Sequence, residues 1–78
     1  MGEGLGYSDH AKQRMVLRRV TDEEVRLTVN NPHYVRPGDF GATNYFREIG
    51  GRVVRVTVGE RPFNGSKRVV ITVAVQQR

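Results

Sequence analysis

A histidine and two arginines are spaced four residues apart near the start of the chain, at positions His10, Arg14 and Arg18. In a helix this spacing puts all three side chains on one stripe of the surface. An imidazole can transfer a proton while guanidinium groups stabilise charge that develops on phosphorus, so the set suits RNA cleavage without a metal. We predict that His10 is the proton carrier, that Arg14 stabilises the scissile phosphate and that Arg18 holds the RNA backbone. The alternative is an ordinary polar helix face on which His10 has a capping or packing role.

The sequence lacks the residues and motifs that other kinds of reactive site require. The chain contains no cysteine and two histidines, His10 and His33, and neither histidine has a tight acidic cluster near it in the sequence. Metal sites are built from such residues, so we expect no metal. The glycines of residues 38–41 and 50–51 lie between predicted strands and lack the following helix of a phosphate-binding loop, so we expect no nucleotide cofactor.

The charge of the chain favours a polyanionic partner. The net charge is +5, most of the excess comes from arginine, and the planar guanidinium group fits phosphate oxygens well. RNA or the ribosome is therefore the expected partner, although surplus arginine also keeps small domains soluble. The apolar runs are too short for a membrane span and the first six residues lack a signal-peptide core, so we expect a cytoplasmic protein without membrane contact. The pattern does not indicate an oligomeric state.

Two short helices are predicted in the first half of the chain. Ser8 is a favourable N-cap for a helix from Asp9 to Arg18. Thr21 and Glu24 have the spacing of a capping box, which marks the start of a second helix, and the Asn-Asn-Pro of residues 30–32 ends it. Because the link between them is short, the two helices should form a hairpin.

The remaining sequence predicts an antiparallel β-meander. Its strongest turn signals are Gly50-Gly51 and Asn64-Gly65, and each of them fixes the register of a hairpin. Residues 37–39 are predicted as a further turn. The predicted strands are a short one at Tyr34-Val35 and longer ones at residues 43–49, 52–58 and 67–75.

The two predicted registers agree on which side chains share a face. They create one apolar face with Val54 opposite Val75, Val56 opposite Val73, Val58 opposite Ile71, and Tyr45 beside Val56. Helices must bury their own apolar stripes, so we predict that both pack on this face. The expected fold is α+β, an N-terminal helix hairpin packed on one face of a three- to four-stranded antiparallel β-meander. A chain of 78 residues has room for one such domain, expected at residues 7–78 after a flexible tail at residues 1–6.

The opposite face of the sheet is predicted to be polar and uncovered. Its candidate RNA-binding residues are Phe46 and Arg55 in one cross-strand row and Thr57 and Thr72 in the next, with the phenyl ring available for base stacking. Threonine pairs are also ordinary sheet stabilisers, and Arg55 beside Phe46 also suits a cation–π contact. Arg47 is directed to the helix side, where an unpaired guanidinium is unfavourable. We expect it to leave at the sheet margin and to join Arg14 at the phosphate.

A larger pattern covers nearly the whole chain. Its parts are His10-Ala11 and Arg14-Met15 on the first helix, Arg18 before a short turn, Asn31-Pro32 after an acidic helix, and Gly51-Arg52 in a strand. The pattern resembles a small prokaryotic domain family of unassigned function, which is itself similar to the RelE- and BrnT-like toxins of toxin–antitoxin systems. The resemblance implies a helix pair on an antiparallel sheet and ribonuclease activity without a metal, with His10 and Arg14 as the main polar positions and Arg18 and Arg52 in support. Arg19 is a departure, because the family pattern usually has glycine there.

Three functions are compatible with these features. The first is a toxin-type endoribonuclease that cleaves RNA through His10, Arg14 and Arg47, with Arg18, Arg52 and Arg55 holding the RNA backbone. The second is a non-catalytic RNA- or ribosome-binding module that uses the open sheet face and the arginine stripe. The third is a protein-interaction domain whose basic surface docks an acidic antitoxin-like partner.

Overall fold

Two helices pack on one face of a five-stranded sheet in this protein. A computed structural model describes residues 5–59 and 68–77. The strand order is β1-β5-β4-β3-β2, and every neighbouring pair is antiparallel except β1 and β5, which run parallel. The elements in chain order are β1 (Gly6–Tyr7), α1 (Asp9–Arg18), α2 (Asp22–Asn30), β2 (Tyr34–Pro37), a 3-10 turn (Asp39–Gly41), β3 (Ala42–Ile49), β4 (Arg52–Gly59) and β5 (Val69–Gln77).

The α+β class and the order of helices before the main strands are confirmed, but the sheet is larger than predicted and mixed. The additional strand, β1, has only two residues, too few to show a periodicity in the sequence. It pairs Gly6 with Val69 and Tyr7 with Val70, and Leu5 packs against the core. Leu5 and Gly6, which the sequence assigned to the tail, thus contact the core and the sheet, and residues 1–4 lie outside the described residues.

Local capping signals place the helices where the sequence predicts them. The Ser8 side chain accepts a hydrogen bond from the Ala11 amide at 3.0 Å, and its hydroxyl donates to the carbonyl of Ile71 at 2.9 Å. The first bond caps α1, and the second holds the start of α1 against β5. The capping box between Thr21 and Glu24 is present in both directions.

The residue that ends α1 has an unusual backbone conformation. Arg19 adopts the left-handed region, with φ 57° and ψ 50°, and its amide N–H bonds back to the last turn of α1. This region favours glycine because a Cβ is crowded there. The left-handed conformation of Arg19 explains why the family pattern usually has glycine at this position.

The core lies between the helices and the valine face of β4 and β5. Its buried members are Ala11, Val20, Val25, Val29, Val54, Val56, Val58, Val70 and Val73. The predicted pairs Val54–Val75, Val56–Val73 and Tyr45–Val56 are confirmed. The predicted pairing of Val58 with Ile71 is wrong, because a bulge between Thr57 and Val58 shifts the register so that Val58 pairs with Val70. Ile71 consequently leaves the core and is 42% exposed.

One of the two predicted hairpin turns can be checked directly. Gly50 and Gly51 have φ values of 61° and 85° and connect β3 to β4 in the predicted register. Two consecutive positive φ values suit glycine and match the twist of the flanking strands. The predicted turn at Asn64-Gly65 lies outside the described residues. Over the ranges that the structure covers, neither helix has the length and apolar character required to cross a membrane.

Candidate functional site

A polar cavity of about 240 Å³ lies where α1 meets the sheet face that points away from the helices. We call it the His10 cavity. It is lined by His10, Arg14 and Arg18 from α1 and by Arg55, Thr72, Val73 and Ala74 from β4 and β5. The sequence placed these residues in two groups, the helix stripe and the open sheet face. Members of both groups line this one cavity.

The position of α1 explains this convergence. Ala11 is fully buried in the core, so His10, the preceding residue, lies at the border of the helix–sheet contact rather than beneath it. The Ser8 amide donates to the carbonyl of Val70 at 3.0 Å, which sets the first turn of α1 beside β5, the strand on which this helix chiefly packs. The stripe that begins at His10 thus runs along β5 and faces the open side of the sheet.

The cavity is wet and strongly cationic. His10 and Arg18 are exposed, whereas Arg14, Arg55 and Thr72 are half-buried. The Nε atom of Arg55 is buried and, like that of Arg47, has no hydrogen-bond partner among the described residues. Such an unsatisfied donor costs roughly 1–3 kcal/mol. An anion bound beside Arg55 would give this cation both a counter-charge and acceptors.

Two of the predicted site arginines have other partners and do not line the His10 cavity. Arg47 donates from Nη1 to the carbonyl of Asn31 at 2.6 Å, and Asn31 is the C-cap of α2. Arg52 donates to the carbonyls of Arg18 and Arg19 at 2.8 Å each, at the C-terminal end of α1. Both guanidinium groups thus neutralise helix C-termini from the sheet, and the expectation that Arg47 reaches the phosphate and Arg52 the RNA backbone stays a prediction.

Arg52 has a further contact that links the two helices. Its Nη2 lies 3.4 Å from Oε1 of Glu24, the same oxygen that accepts from the Thr21 amide in the capping box. One strand side chain therefore contacts the end of α1 and the beginning of α2. This arrangement fixes the helix hairpin, and with it the His10 stripe, on the sheet.

Two other predicted RNA-binding residues are also engaged inside the protein. The ring of Phe46 stacks on Tyr34, with centroids 4.6 Å apart and an interplanar angle of 10°. The Thr57 hydroxyl donates to Oδ1 of Asn44. Neither residue lines the His10 cavity. The other histidine of the chain, His33, also lies outside it and accepts a hydrogen bond from the Glu48 amide at 3.2 Å.

A second cavity, of about 460 Å³, adjoins the first on the same face of the sheet. We call it the Phe40 cavity. It is lined by Pro37, Gly38, Asp39, Phe40, Ala42, Asn44, Arg55, Thr57 and Ile71, so Arg55 borders both cavities. The sequence assigned residues 37–39 to a turn only, and the missed signal was an aromatic residue placed between the turn glycines Gly38 and Gly41.

A charged hydrogen-bond chain joins β1 to α2 away from both cavities. The Tyr7 hydroxyl donates to Oδ1 of Asp22, whose other oxygen pairs with Nε of Arg26 at 2.8 Å. Burial, together with the hydrogen bond to Asp22, raises the pKa of Tyr7 to about 12. The hydrogen bonds from Tyr7 and then Arg26 lower the pKa of Asp22. These shifts belong to a contact that holds the fold together.

Residues 7–75 match the model of a family described as Domain of unknown function (DUF4258). The chain belongs to this family. Comparison with curated proteins gave no match, and comparison with solved structures gave none either. The similarity to a family of unassigned function is therefore confirmed for this DUF4258 domain, whereas its similarity to RelE- and BrnT-like toxins stays a prediction.

The donor groups of this DUF4258 domain define what the His10 cavity can bind. Its ionisable lining groups are one imidazole and three guanidinium groups, which attract anions and repel divalent cations. Among the described residues there is no group of three or more His, Cys, Asp and Glu side chains placed to hold a metal ion. The chemistry of these groups suits an oxyanion better than a metal cation.

Proposed function

We propose that this DUF4258 domain is an endoribonuclease of the toxin–antitoxin type that needs no metal. The observation that carries the proposal is the His10 cavity, in which one solvent-accessible imidazole lies among three arginines from a helix and a strand. Its volume is about 240 Å³. A phosphodiester group with part of its ribose fits that space.

In the proposed reaction the 2′-hydroxyl of RNA attacks the adjacent phosphorus. His10 takes the proton of that hydroxyl as the new O–P bond forms, and the bond from phosphorus to the 5′-oxygen breaks. The departing 5′-oxygen takes up a proton from the protonated His10, which restores the neutral imidazole. The products are a 2′,3′-cyclic phosphate and a 5′-hydroxyl, so no water is consumed in the step.

The three arginines supply electrostatic stabilisation. Negative charge grows on the non-bridging oxygens as phosphorus becomes five-coordinate, and guanidinium groups already fixed around it lower the energy of that state. Arg55 is held from β4 while Arg14 and Arg18 project from α1. Charge is therefore provided from two sides of the cavity, and the role first assigned to Arg47 passes to Arg55 in this proposal.

Replacement of His10 by alanine tests the chemistry. In buffer with excess chelator we expect the folded wild-type protein to cleave single-stranded RNA. We expect His10→Ala to be slower by at least about 100-fold, the usual contribution of a positioned proton-transfer group. The readout is the cleavage rate on a labelled oligonucleotide, with the 2′,3′-cyclic phosphate identified by mass.

The matched control is His33→Ala, because His33 lies outside the His10 cavity and contacts the Glu48 amide. This variant should keep the wild-type rate where it is folded. An oligonucleotide that lacks 2′-hydroxyl groups should bind and remain intact. Absence of cleavage by a folded wild-type protein, or equal loss in both histidine variants, contradicts the proposal.

A non-catalytic RNA- or ribosome-binding module is the second candidate, and the unsatisfied Nε of Arg55 favours it. This function needs the cations but not the imidazole. RNA binding without turnover, weakened by Arg55→Ala and unchanged by His10→Ala, is the pattern that would select it over the enzyme.

An acidic antitoxin-like partner is also compatible with the surface. Val16 and Leu17 are 78% and 67% exposed on α1, next in sequence to the basic residues Arg18 and Arg19. Exposed apolar side chains beside cations suit a protein partner with acidic and apolar residues. Such a partner would cover the outer side of the helix that carries His10.

A further inference from the structure

Phe40 combines an exposed aromatic ring with an uncommon backbone conformation. Its ring is fully exposed to solvent, and its backbone is in the left-handed region, with φ 55° and ψ 39°. Left-handed backbone is uncommon for a bulky non-glycine residue and is strained. Among the described residues the other non-glycine with positive φ is Arg19, whose conformation closes the end of a helix. Phe40 and Gly41, both with positive φ, form the centre of the turn that connects β2 to β3, and the Ala42 amide donates to the Asp39 carbonyl across it. The turn accounts for the backbone conformation but not for the exposed aromatic side chain, because glycine or asparagine would adopt this conformation with less strain.

The surroundings of Phe40 supply polar groups beside the exposed ring. Asn44 and Thr57 line the Phe40 cavity together with the carboxylate of Asp39. The Thr57 hydroxyl donates to Oδ1 of Asn44, which orients that amide. A Cβ added to Gly38 would lie 3.2 Å from Nδ2 of Asn44, so glycine at this position leaves room beside the amide. The cavity thus offers an aromatic surface, a hydrogen-bond donor and an acceptor together.

The Phe40 cavity is connected to the His10 cavity through one residue. Arg55 lines both of them. Its cross-strand neighbours are Phe46 on β3 and Ala74 on β5, and Thr57 lies two residues along β4 on the same face. A ligand whose phosphate contacts Arg55 therefore has its next chemical group at the entrance of the Phe40 cavity. In RNA that group is a nucleoside.

We propose that the Phe40 cavity binds the nucleobase next to the phosphate held in the His10 cavity. Phe40 stacks on the face of the base, and Asn44 and Asp39 form hydrogen bonds to its edge. Stacking on an aromatic side chain is the general way in which proteins hold unpaired bases. The inference rests on the proposed function, because it takes the ligand of the His10 cavity to be RNA.

The test uses binding, so that it does not depend on turnover. The probe is a short single-stranded RNA with 2′-fluoro substitutions, which lacks the attacking hydroxyl. We expect Phe40→Gly to weaken binding about tenfold, in line with the loss of one base stack. Because glycine adopts positive φ without strain, the melting temperature of this variant should be equal to or higher than that of the wild type. Phe40→Tyr, which keeps an aromatic ring, should bind within about twofold of the wild type.

A set of probes, each abasic at one position, locates the stacked base. One of these probes should bind the wild type about tenfold more weakly and should show no further loss with Phe40→Gly. Unchanged binding in Phe40→Gly, or additive losses with every abasic probe, would overturn the inference. Absence of probe binding to the wild type would overturn it as well.

The two proposals fail in distinguishable ways. A wild-type protein that binds the probe through Phe40 but leaves unmodified RNA intact contradicts the ribonuclease and supports the base site. A protein that cleaves RNA while Phe40→Gly binds normally contradicts the base site and supports the ribonuclease.

Discussion

Arginine has two different uses in this protein, and the position of each residue on the sheet decides between them. Arg47 and Arg52 project toward the helices and donate to the C-caps of α2 and α1. Arg55 projects to the opposite face and lines both cavities. The strand period of two puts Arg47 and Arg55 on opposite sides because they are cross-strand neighbours of Val54 and Phe46 respectively. Composition alone gives all three the same expected role.

Replacement of Arg52 by alanine should reduce stability rather than affinity for RNA. The variant loses two hydrogen bonds to the end of α1 and a contact with Glu24, which at about 1 kcal/mol for each of the first two predicts a loss of about 2 kcal/mol. Denaturant unfolding measures this difference.

Arg18→Ala is the matched control for Arg52→Ala. The Arg18 side chain is exposed and its carbonyl still accepts from Arg52 after the substitution, so its stability should change by less than about 0.5 kcal/mol. Under the proposed function, Arg18→Ala should instead slow the cleavage of RNA. Equal stability of wild type and Arg52→Ala would contradict the capping role.

At the level of elements, the N-terminal strand and the second helix are joined by the Tyr7–Asp22–Arg26 chain. The strand has only two residues, and this side-chain contact adds to its backbone pairing with β5. The pKa shifts of Tyr7 and Asp22 have opposite signs, and each makes stability depend on pH in its own range.

The stability conferred by the Tyr7–Asp22 contact should be lost at both ends of the pH scale. The lowered pKa of Asp22 means that its contribution is present above the ordinary carboxyl range near pH 4 and disappears as the pH falls through the folded-state value. The raised pKa of Tyr7, about 12, means that its contribution is present below about pH 10 and disappears as the pH rises toward 12.

Tyr7→Phe measures this effect. We expect a loss of about 1 kcal/mol at pH 7, the value of one partly exposed hydrogen bond, and smaller losses at pH 3 and pH 11. The unfolding midpoint in denaturant at the three pH values is the readout, with Tyr34→Phe as a control outside the chain. A difference between wild type and Tyr7→Phe that is the same at all three pH values would rule out this linkage.

The sequence predicted the elements that depend on local chemistry. The Ser8 cap, the Thr21–Glu24 capping box and the Gly50-Gly51 turn are each set by residues close together in the chain, and all three are present. The bulge beside Val58 and the parallel strand β1 depend on contacts between distant segments. Neither has a local signal, so both were missed.

The same distinction applies to the candidate site. Helical spacing was sufficient to group His10, Arg14 and Arg18, and the hairpin register was sufficient to place Arg55 and Thr72 on the open face. Which groups lie side by side depends on where α1 crosses the sheet, and that is set by the Ser8 contacts with Val70 and Ile71. Phe40 could not be assigned because its exposure and its backbone conformation are properties of the folded loop.

At the scale of the whole molecule, the two faces of the sheet differ in what covers them. The helices cover the valine face and form the core, while both cavities lie on the opposite face and share Arg55. The net charge of +5 favours attraction of polyanions from a distance, and under the proposed function the cavities determine which of the cations contact phosphate. The dependence of the RNA-binding constant on salt concentration distinguishes direct contact with phosphate from long-range attraction.

The salt dependence of RNA binding should identify the cations that contact phosphate. For single strands the logarithm of the binding constant falls with the logarithm of salt concentration by roughly 0.7 for each phosphate neutralised. We expect Arg14→Ala, Arg18→Ala and Arg55→Ala each to reduce this slope by about 0.7.

Arg26→Ala is the control because it removes the same charge from α2, where Arg26 pairs with Asp22. Its slope should equal that of the wild type. Equal reductions in all four variants would show that binding depends on net charge alone and not on the His10 cavity.

The hydrogen bond from Ser8 to Ile71 joins residues that are 63 positions apart in the chain. The His10 cavity has the same long-range origin, because one wall is the first helix and the other includes the last strand. The valine core joins equally distant segments, because it includes Ala11 of α1 and Val73 of β5, and closing so long a loop has an entropic cost. The His10 cavity therefore exists only while α1 is docked on β5, and a chain in which this contact has opened lacks the proposed site.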